Sequence, residues 1–399
     1  MAVRAMLRQA VADWSLPRAA KAMKARDLQG LPASEPGGET AIKLGLAWLK
    51  RAQDQSASHD GGFARDFSLV KGWATSYPET SGYIVPTFLA EAALEDDKDL
   101  ADRAARCLDW LVSIQFPEGG FQGGKIDQQP RVPVTFNTGQ ILLGLAAGAA
   151  SLDRDKYLEP MRRAAAWLRD SQDADGCWRK HATPFSAPGE KAYETHVSWG
   201  LFEAARVSPN EGFGEAGLKQ VRWALTKQQP NGWFDSNCLE QPSAPLTHTI
   251  GYVLRGLVEA HLWSNDAGLA DAANRTADGL LPAIAADGRL PGRLDSDWRG
   301  TVDWVCLTGS AQIAHSLFIL ARRSGRADYA KKAKALNAYV RRSVATTGDA
   351  DMLGGIKGSF PVHGNYGRYQ YLNWACKFLV DSCREELAFA SASGAAQVR

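Results

Sequence analysis

The chain has 399 residues, of which 45% are apolar and 23% charged, and its formal net charge is +2. Those proportions are ordinary for a globular protein, and so small a net charge argues against nucleic acid as a partner. No stretch approaches the roughly 18 consecutive apolar residues of a membrane span.

From the N-terminus, residues 1–40 read as an extension. Its opening, MAVRAMLRQAVADW, holds basic residues but no sustained apolar run, so it does not read as a signal peptide. From residue 41 to residue 383 two helical patterns alternate. One starts at Ala41, Ala101, Tyr157, Gly214, Ala270 and Tyr329 and is amphipathic, with Leu, Trp and Ala at helical spacing opposite charge. The other starts at Gly82, Thr138, Val197, Thr249, Cys306 and Leu372. It is apolar nearly all round and rich in small residues, the mark of a helix buried on every side. The last segment, 384–399, ends ASASGAAQVR and reads as a disordered tail. Six cysteines form no CxxC pair, so they read as reduced thiols of a cytoplasmic protein, and no metal or cofactor is expected.

The amphipathic helices end in a recurring turn. Gln115, Gly119 and Phe121 share a spacing with Gln172, Gly176 and Trp178, and with Gln228, Gly232 and Phe234. Looser copies lie at Gly61 and Gly288, and the five glycines are spaced by 58, 57, 56 and 56 residues. A fixed period of this length marks a repeat protein. The glycine suits a left-handed turn at a helix end, the glutamine can bond free helix-end groups, and the aromatic packs beneath the following loop. Six outer helices around six inner ones make an all-α fold, an (α/α)6 toroid of six helical hairpins.

The Gln-x3-Gly-x-Trp/Phe turn on alternating helices resembles the repeat of the squalene-cyclase and protein-prenyltransferase toroids over most of the helical chain. That resemblance implies a closed α/α toroid and, as one alternative, an isoprenoid enzyme. The cyclases of that family carry an Asp-x-Asp-Asp acid motif, where this chain has Asp295-Ser-Asp297-Trp298. The prenyltransferases hold zinc with an Asp-x-Cys pair, where this chain sets Asp303 and Cys306 one residue further apart. Toroids of six hairpins are also the architecture of glycoside hydrolases, polysaccharide lyases and sugar epimerases.

Short connections lead from inner to outer helices and long ones from outer to inner, so the long loops share one face with the inner-helix N-termini. Long ordered loops are usually functional. Thr80, Thr138, Thr195 and Thr247 there read as N-caps. Capping does not explain Glu79, Tyr83, Asn137, Glu194, His196, Trp199, His248, Tyr252, Asp303, Trp304, Tyr371, Asn373 and Trp374, which recur at equivalent places in five or six repeats. Aromatic faces beside hydrogen-bonding groups suit sugar rings. Loop aromatics Trp178, Trp233, Trp298 and Tyr366 extend the set. Arg293, Lys357 and Arg368, with the helix N-termini, favour an anionic glycan.

Glycan hydrolysis needs two carboxyl groups across one bond, and Glu79 and Asp303 are the preferred pair, with Glu194 and Asp297 beside them. A lyase or epimerase would instead draw on His196 and His248, with Asn137, His363, Tyr366 and Arg368 as further candidates. The expectation is a carbohydrate-active enzyme on an acidic oligo- or polysaccharide, hydrolase before lyase or epimerase. A non-catalytic glycan binder is a further alternative.

Overall fold

A computed structural model describes residues 15–397, with side-chain surroundings through residue 392. After helix α1 (Arg18–Asp27) the chain winds as six hairpins. The outer helices are α2 (Gly38–Asp54), α4 (Lys98–Ile114), α6 (Arg154–Ser171), α8 (Phe213–Leu225), α10 (Ala267–Leu280) and α12 (Ala327–Arg341). The inner helices are α3 (Pro78–Glu95), α5 (Thr135–Ser151), α7 (Thr195–Val207), α9 (Thr247–Ser264), α11 (Leu307–Ser324) and α13 (Asn373–Gln397). Consecutive inner helices pack side by side, and α13 returns against α2 and α3. The fold is a closed (α/α)6 toroid. No helix among the described residues is long and apolar enough to cross a membrane.

The two helix classes follow from their patterns. Helix α4 buries Leu100, Ala104, Cys107, Leu108 and Leu111, a single stripe. Helix α5 buries almost every residue from Thr135 to Ala149. Two-residue connections link four of the inner helices to the next outer helix and a five-residue one links α7 to α8, and Asp97, Asp153 and Asp266 cap the free N–H groups of α4, α6 and α10.

The recurring turn is a stitch between neighbouring outer helices. The Gln115 side-chain amide donates to Gly119 O at 2.9 Å and to Pro160 O of α6 at 3.0 Å. Gln172 does the same with Gly176 O and Ala216 O of α8, and Gln53 with Gly61 O and Arg103 O of α4. The turn glycines sit as close. A Cβ on Gly119, Gly176, Gly232, Gly288 or Gly354 would lie 1.9–2.5 Å from a carbonyl oxygen of the next outer helix, and all five have positive φ. Gly354 is a sixth copy, 66 residues after Gly288, that the period did not reveal. It meets Leu44 O of α2 and so closes the ring.

Three expectations change. The threonines at the inner-helix starts do not cap α3, α5, α7 or α9. Thr138 Oγ1 instead accepts the Phe121 N–H at 2.9 Å, tying the turn to the inner helix. Of the expected extension 1–40, residues 1–14 lie outside the described residues, and α1 packs as part of the fold, burying Ala20 and Met23 in the core. The chain beyond 383 continues α13 as helix to Gln397. Arg384, Glu385 and Glu386 fasten its first turn there through pairs with Glu91, Arg322 and Arg341.

Short strands also join the loops. Strand β1 (Asp66–Ser68) pairs antiparallel with β2 (Gly72–Trp73) and with β5 (Gln370–Leu372), stitching the first long loop to the last. Strand β3 (Val305–Cys306) pairs with β4 (Ser359–Phe360).

Gly354→Ala tests the closing stitch. Its Cβ would sit 2.1 Å from Leu44 O, so the loss of unfolding free energy in a urea titration should exceed about 2 kcal/mol. Gly30→Ala is the control. Gly30 also has positive φ, but a Cβ there meets nothing within 4 Å, and only the backbone strain of roughly 1–2 kcal/mol should register.

Candidate functional site

The long-loop face opens into a cavity of about 670 Å³. Inner-helix starts form its depth and the long loops its walls. Repeats one, two, three, four and six supply the lining, and among the described residues the fifth supplies none.

Glu79 is among its lining residues. Tyr77 is extended and Pro78 opens α3, which sets Glu79 in the first helical turn. The carboxylate accepts the Asn137 amide at 2.9 Å and a hydrogen bond from Tyr77. Burial pushes the carboxyl up to about 7, against the Tyr77 hydrogen bond and the Arg65 guanidinium, which both pull it down. Near neutral pH the group therefore both holds and releases a proton.

Arg65 stands beside it in the first long loop. Its guanidinium pairs with Asp66 at 2.7 Å and lies 5.0 Å from the Trp374 ring centre and 5.9 Å from that of Tyr77. The Arg65 backbone bonds Thr75 O and the Asn373 N–H, which holds it between the first and last loops. Tyr366 accepts the Trp374 indole N–H at 2.9 Å and completes this wall.

The other side of the cavity is built on a pair of imidazoles. His248 Nδ1 lies 2.7 Å from Gln312 Oε1, and His196 Nδ1 lies 2.6 Å from Gln140 Oε1. An oxygen at that place requires the imidazole to donate, so Nε2 of each ring carries the lone pair. Tyr252 is held between the two rings, with centroids 4.3 and 4.5 Å away. Burial lowers His248 to about 4, although the Gln312 bond favours its proton. Burial, then the cations Arg255 and Lys377, keep His196 well below its usual range. Both are neutral at pH 7. The Tyr83 hydroxyl faces that of Tyr252 but has no well-formed hydrogen bond.

Of the residues expected from sequence, Glu79, Tyr83, Asn137, His248, Tyr252, Tyr366 and Trp374 line this cavity. His196 lies behind Tyr252, and Trp199 lies deeper, under the Arg255 guanidinium. Glu194 is buried outside the lining, where desolvation raises it to about 8 against the pull of Lys191.

The remaining expectations are corrected. Asp303 is exposed and only its carbonyl is engaged, by Arg289. Cys306 is fully buried while Asp303 is at the surface, which separates the two as zinc ligands. Arg293 bonds Ala244 O, and Asp297 is a surface partner of Arg299. Trp304 packs with Leu246 and Cys306. Lys357 is buried against Asp27 at 2.6 Å, and Tyr371 reaches Met23 of the same helix α1. Asn373 bonds Ala64 O. His363 and Arg368 lie outside the lining, the second exposed beside the Tyr369 ring. Trp178, Trp233 and Trp298 are buried wedges under their loops.

Arg65, Asp66, Trp73, Lys125 and Phe185 line the cavity unforeseen. All lie in long loops, which the loop-length argument marked as segments without selecting residues.

No protein-family model and no curated protein matches the chain. Solved structures do. An unsaturated glucuronyl hydrolase specific for heparin is similar at TM-score 0.69 and 16% identity, over 89% of this chain and 98% of that one. Cellobiose 2-epimerase from Bacillus thermoamylovorans B4167 also reaches 0.69, at 9% identity over 87% and 98%. A D-mannose isomerase reaches 0.69 at 12% identity over 88% and 97%. These likenesses show the fold, a six-hairpin toroid. They lend no support to the isoprenoid resemblance carried by the turn, which in this chain is a stitch between outer helices.

The raised carboxyl has a consequence for stability. Folded Glu79 holds its proton up to about 7, whereas the ordinary value is 4.5. Between those values the folded state binds more protons than the unfolded one, so stability falls as pH rises through that window. Glu79→Gln should match the parent near pH 4 and exceed it by roughly 3 kcal/mol at pH 8. Urea titrations at the two pH values read the difference.

Proposed function

We propose that the protein is a carbohydrate-active enzyme that acts on an acidic oligosaccharide by general acid/base chemistry, with hydrolysis as the favoured reaction. The observation that carries this reading is Glu79, a buried carboxyl poised to about 7 inside an aromatic cavity. General acids and bases work best when their pKa lies near the operating pH. The walls fit the substrate class. Tyr252, Tyr366 and Trp374 offer faces to sugar C–H groups, Asn137 and the tyrosine hydroxyls offer bonds to sugar hydroxyls, and Arg65 offers a partner for a carboxylate. The similar structures, named as a glucuronyl hydrolase, an epimerase and an isomerase, support a sugar substrate.

In the hydrolytic reading protonated Glu79 gives its proton to the departing glycosidic group and recovers one from water. Asp66 is the second carboxyl of the cavity and takes the place expected for Asp303. His248 supports a second reading. A neutral imidazole with its Nε2 lone pair free can take a proton from carbon, as an epimerase or isomerase requires.

One experiment separates these. Uronate-terminated oligosaccharides are incubated with the enzyme in D2O and followed by NMR. Hydrolysis adds reducing-end anomeric signals, epimerisation exchanges one C–H for C–D without new chain ends, and elimination creates a vinyl proton. Glu79→Gln should lower kcat by about 100-fold or more with little change in KM, and should erase a rate limb near pH 7. A parent protein that binds these sugars and converts none of them at any pH would be a binding protein, and the reading would fail.

A further inference from the structure

We infer that the aperture of the cavity is a second, outer sugar subsite with Phe185 as its platform, so that the substrate has at least two rings. This rests on the glycan reading above and extends it to substrate length.

Two groups among the lining residues differ in where they come from. The inner set is Glu79, Asn137, His248 and Tyr252, all in the first two turns of inner helices. The outer set comes from the long loops of the second and third repeats: Gly124, Lys125, Gln128, Thr183, Phe185 and Ser186. The inner end is closed, since Tyr83 and Tyr252 are 1% and 3% exposed and Phe378 packs against both rings. A sugar chain can therefore enter only by the loop end, where this outer set and Lys71, Gly72, Trp73, Ala74 and Thr75 of the first loop border the cavity, and its following rings would lie among them.

Phe185 is out of place as a structural residue. It is 40% exposed, whereas the other exposed large apolar residues, Leu28, Val70, Leu94 and Val132, are aliphatic. Its position is nonetheless built. The Phe185 N–H donates to Thr183 Oγ1 at 3.3 Å, and the ring edge rests on Gly124. A Cβ on Gly124 would lie 2.7 Å from that ring, and the glycine has φ +75°, so any other residue there would displace it. The result is a ring supported along one edge and open to the cavity. Gln128, Thr183 and Ser186 beside it supply hydrogen-bonding groups. An apolar face with polar neighbours matches a sugar ring, whose C–H face is bordered by hydroxyls.

Calorimetry tests this with D-glucuronate, D-galacturonate and D-mannuronate, and with disaccharides ending in each. Phe185→Ala should weaken the bound disaccharide about fivefold to tenfold and leave the matching monosaccharide unchanged. Phe185→Tyr should retain the parent affinity for both. Phe185 is exposed, so a thermal melt should show the alanine variant folded as the parent is. A variant that loses nothing on the disaccharide, or loses equally on both ligands, overturns the outer subsite while the glycan reading stands. A parent protein that binds none of the sugars overturns the glycan reading and the subsite with it.

Discussion

The side-chain amide of a glutamine at the end of one outer helix donates one N–H to the carbonyl of its own turn glycine and the other to a carbonyl of the next outer helix. The glycine is pressed against that same helix so closely that no Cβ fits. Helix ends leave unpaired carbonyls, and buried ones must find partners. Here one glutamine amide bonds a carbonyl of its own turn and a carbonyl of the neighbouring outer helix, so ordering the turn also fixes the spacing to the next helix. Five glycine contacts of this closeness, at Gly119, Gly176, Gly232, Gly288 and Gly354, bring the chain round until the last meets α2. Every outer helix then runs in one direction and every inner helix begins on one face. The site depends on that direction, because Glu79, Asn137, His248 and Trp374 belong to different repeats and meet only where inner-helix starts converge.

A symmetric scaffold carries an asymmetric cavity. The fifth repeat shows how. Directly before the start of α11, Val305 and Cys306 form a strand with Ser359 and Phe360 of the last loop. In this segment Trp304 and Cys306 are buried outside the cavity lining, and Asp303 is left at the surface. The last loop is itself clamped from outside. Asp27 of α1 holds Lys357 and the Val362 N–H with its two carboxylate oxygens. A buried ion pair of this kind is weak support for stability but demands a defined geometry. The loop so held is the one that places Tyr366 in the cavity.

The architecture was legible because its requirements are local and repeated. A glycine that must turn left-handed, a glutamine that must reach a neighbouring carbonyl and an all-apolar inner helix each recur at one period. The face carrying the site was legible from loop length, and Glu79, Asn137, His248, Tyr252 and Trp374 from their place at inner-helix starts. Position along a helix does not settle what a side chain meets, however. His196 and His248 occupy the same helical position, yet Tyr252 stands between His196 and the cavity. Lys357 reads as a cation for substrate until Asp27, 330 residues away, neutralises it. Arg65 and Asp66 have no periodic counterpart, and only the β1–β5 pairing of the first loop with the last brings them to Trp374.

The charges of the cavity also bear on how an acidic substrate would be handled. Arg65 is paired with Asp66, and Glu79 is held near 7 by a balance in which burial outweighs Arg65 and Tyr77. A carboxylate bound at Arg65 would draw on the same guanidinium that pulls Glu79 down, would add a negative charge beside it and would exclude water. Each change favours the protonated carboxyl. On the proposed reading the substrate therefore loads its own acid: the proton is held most firmly when the bond to be protonated is in place. A neutral sugar of the same shape would supply only the desolvation. The preference for an acidic glycan would then lie in the rate of proton transfer as well as in binding, with one arginine serving both.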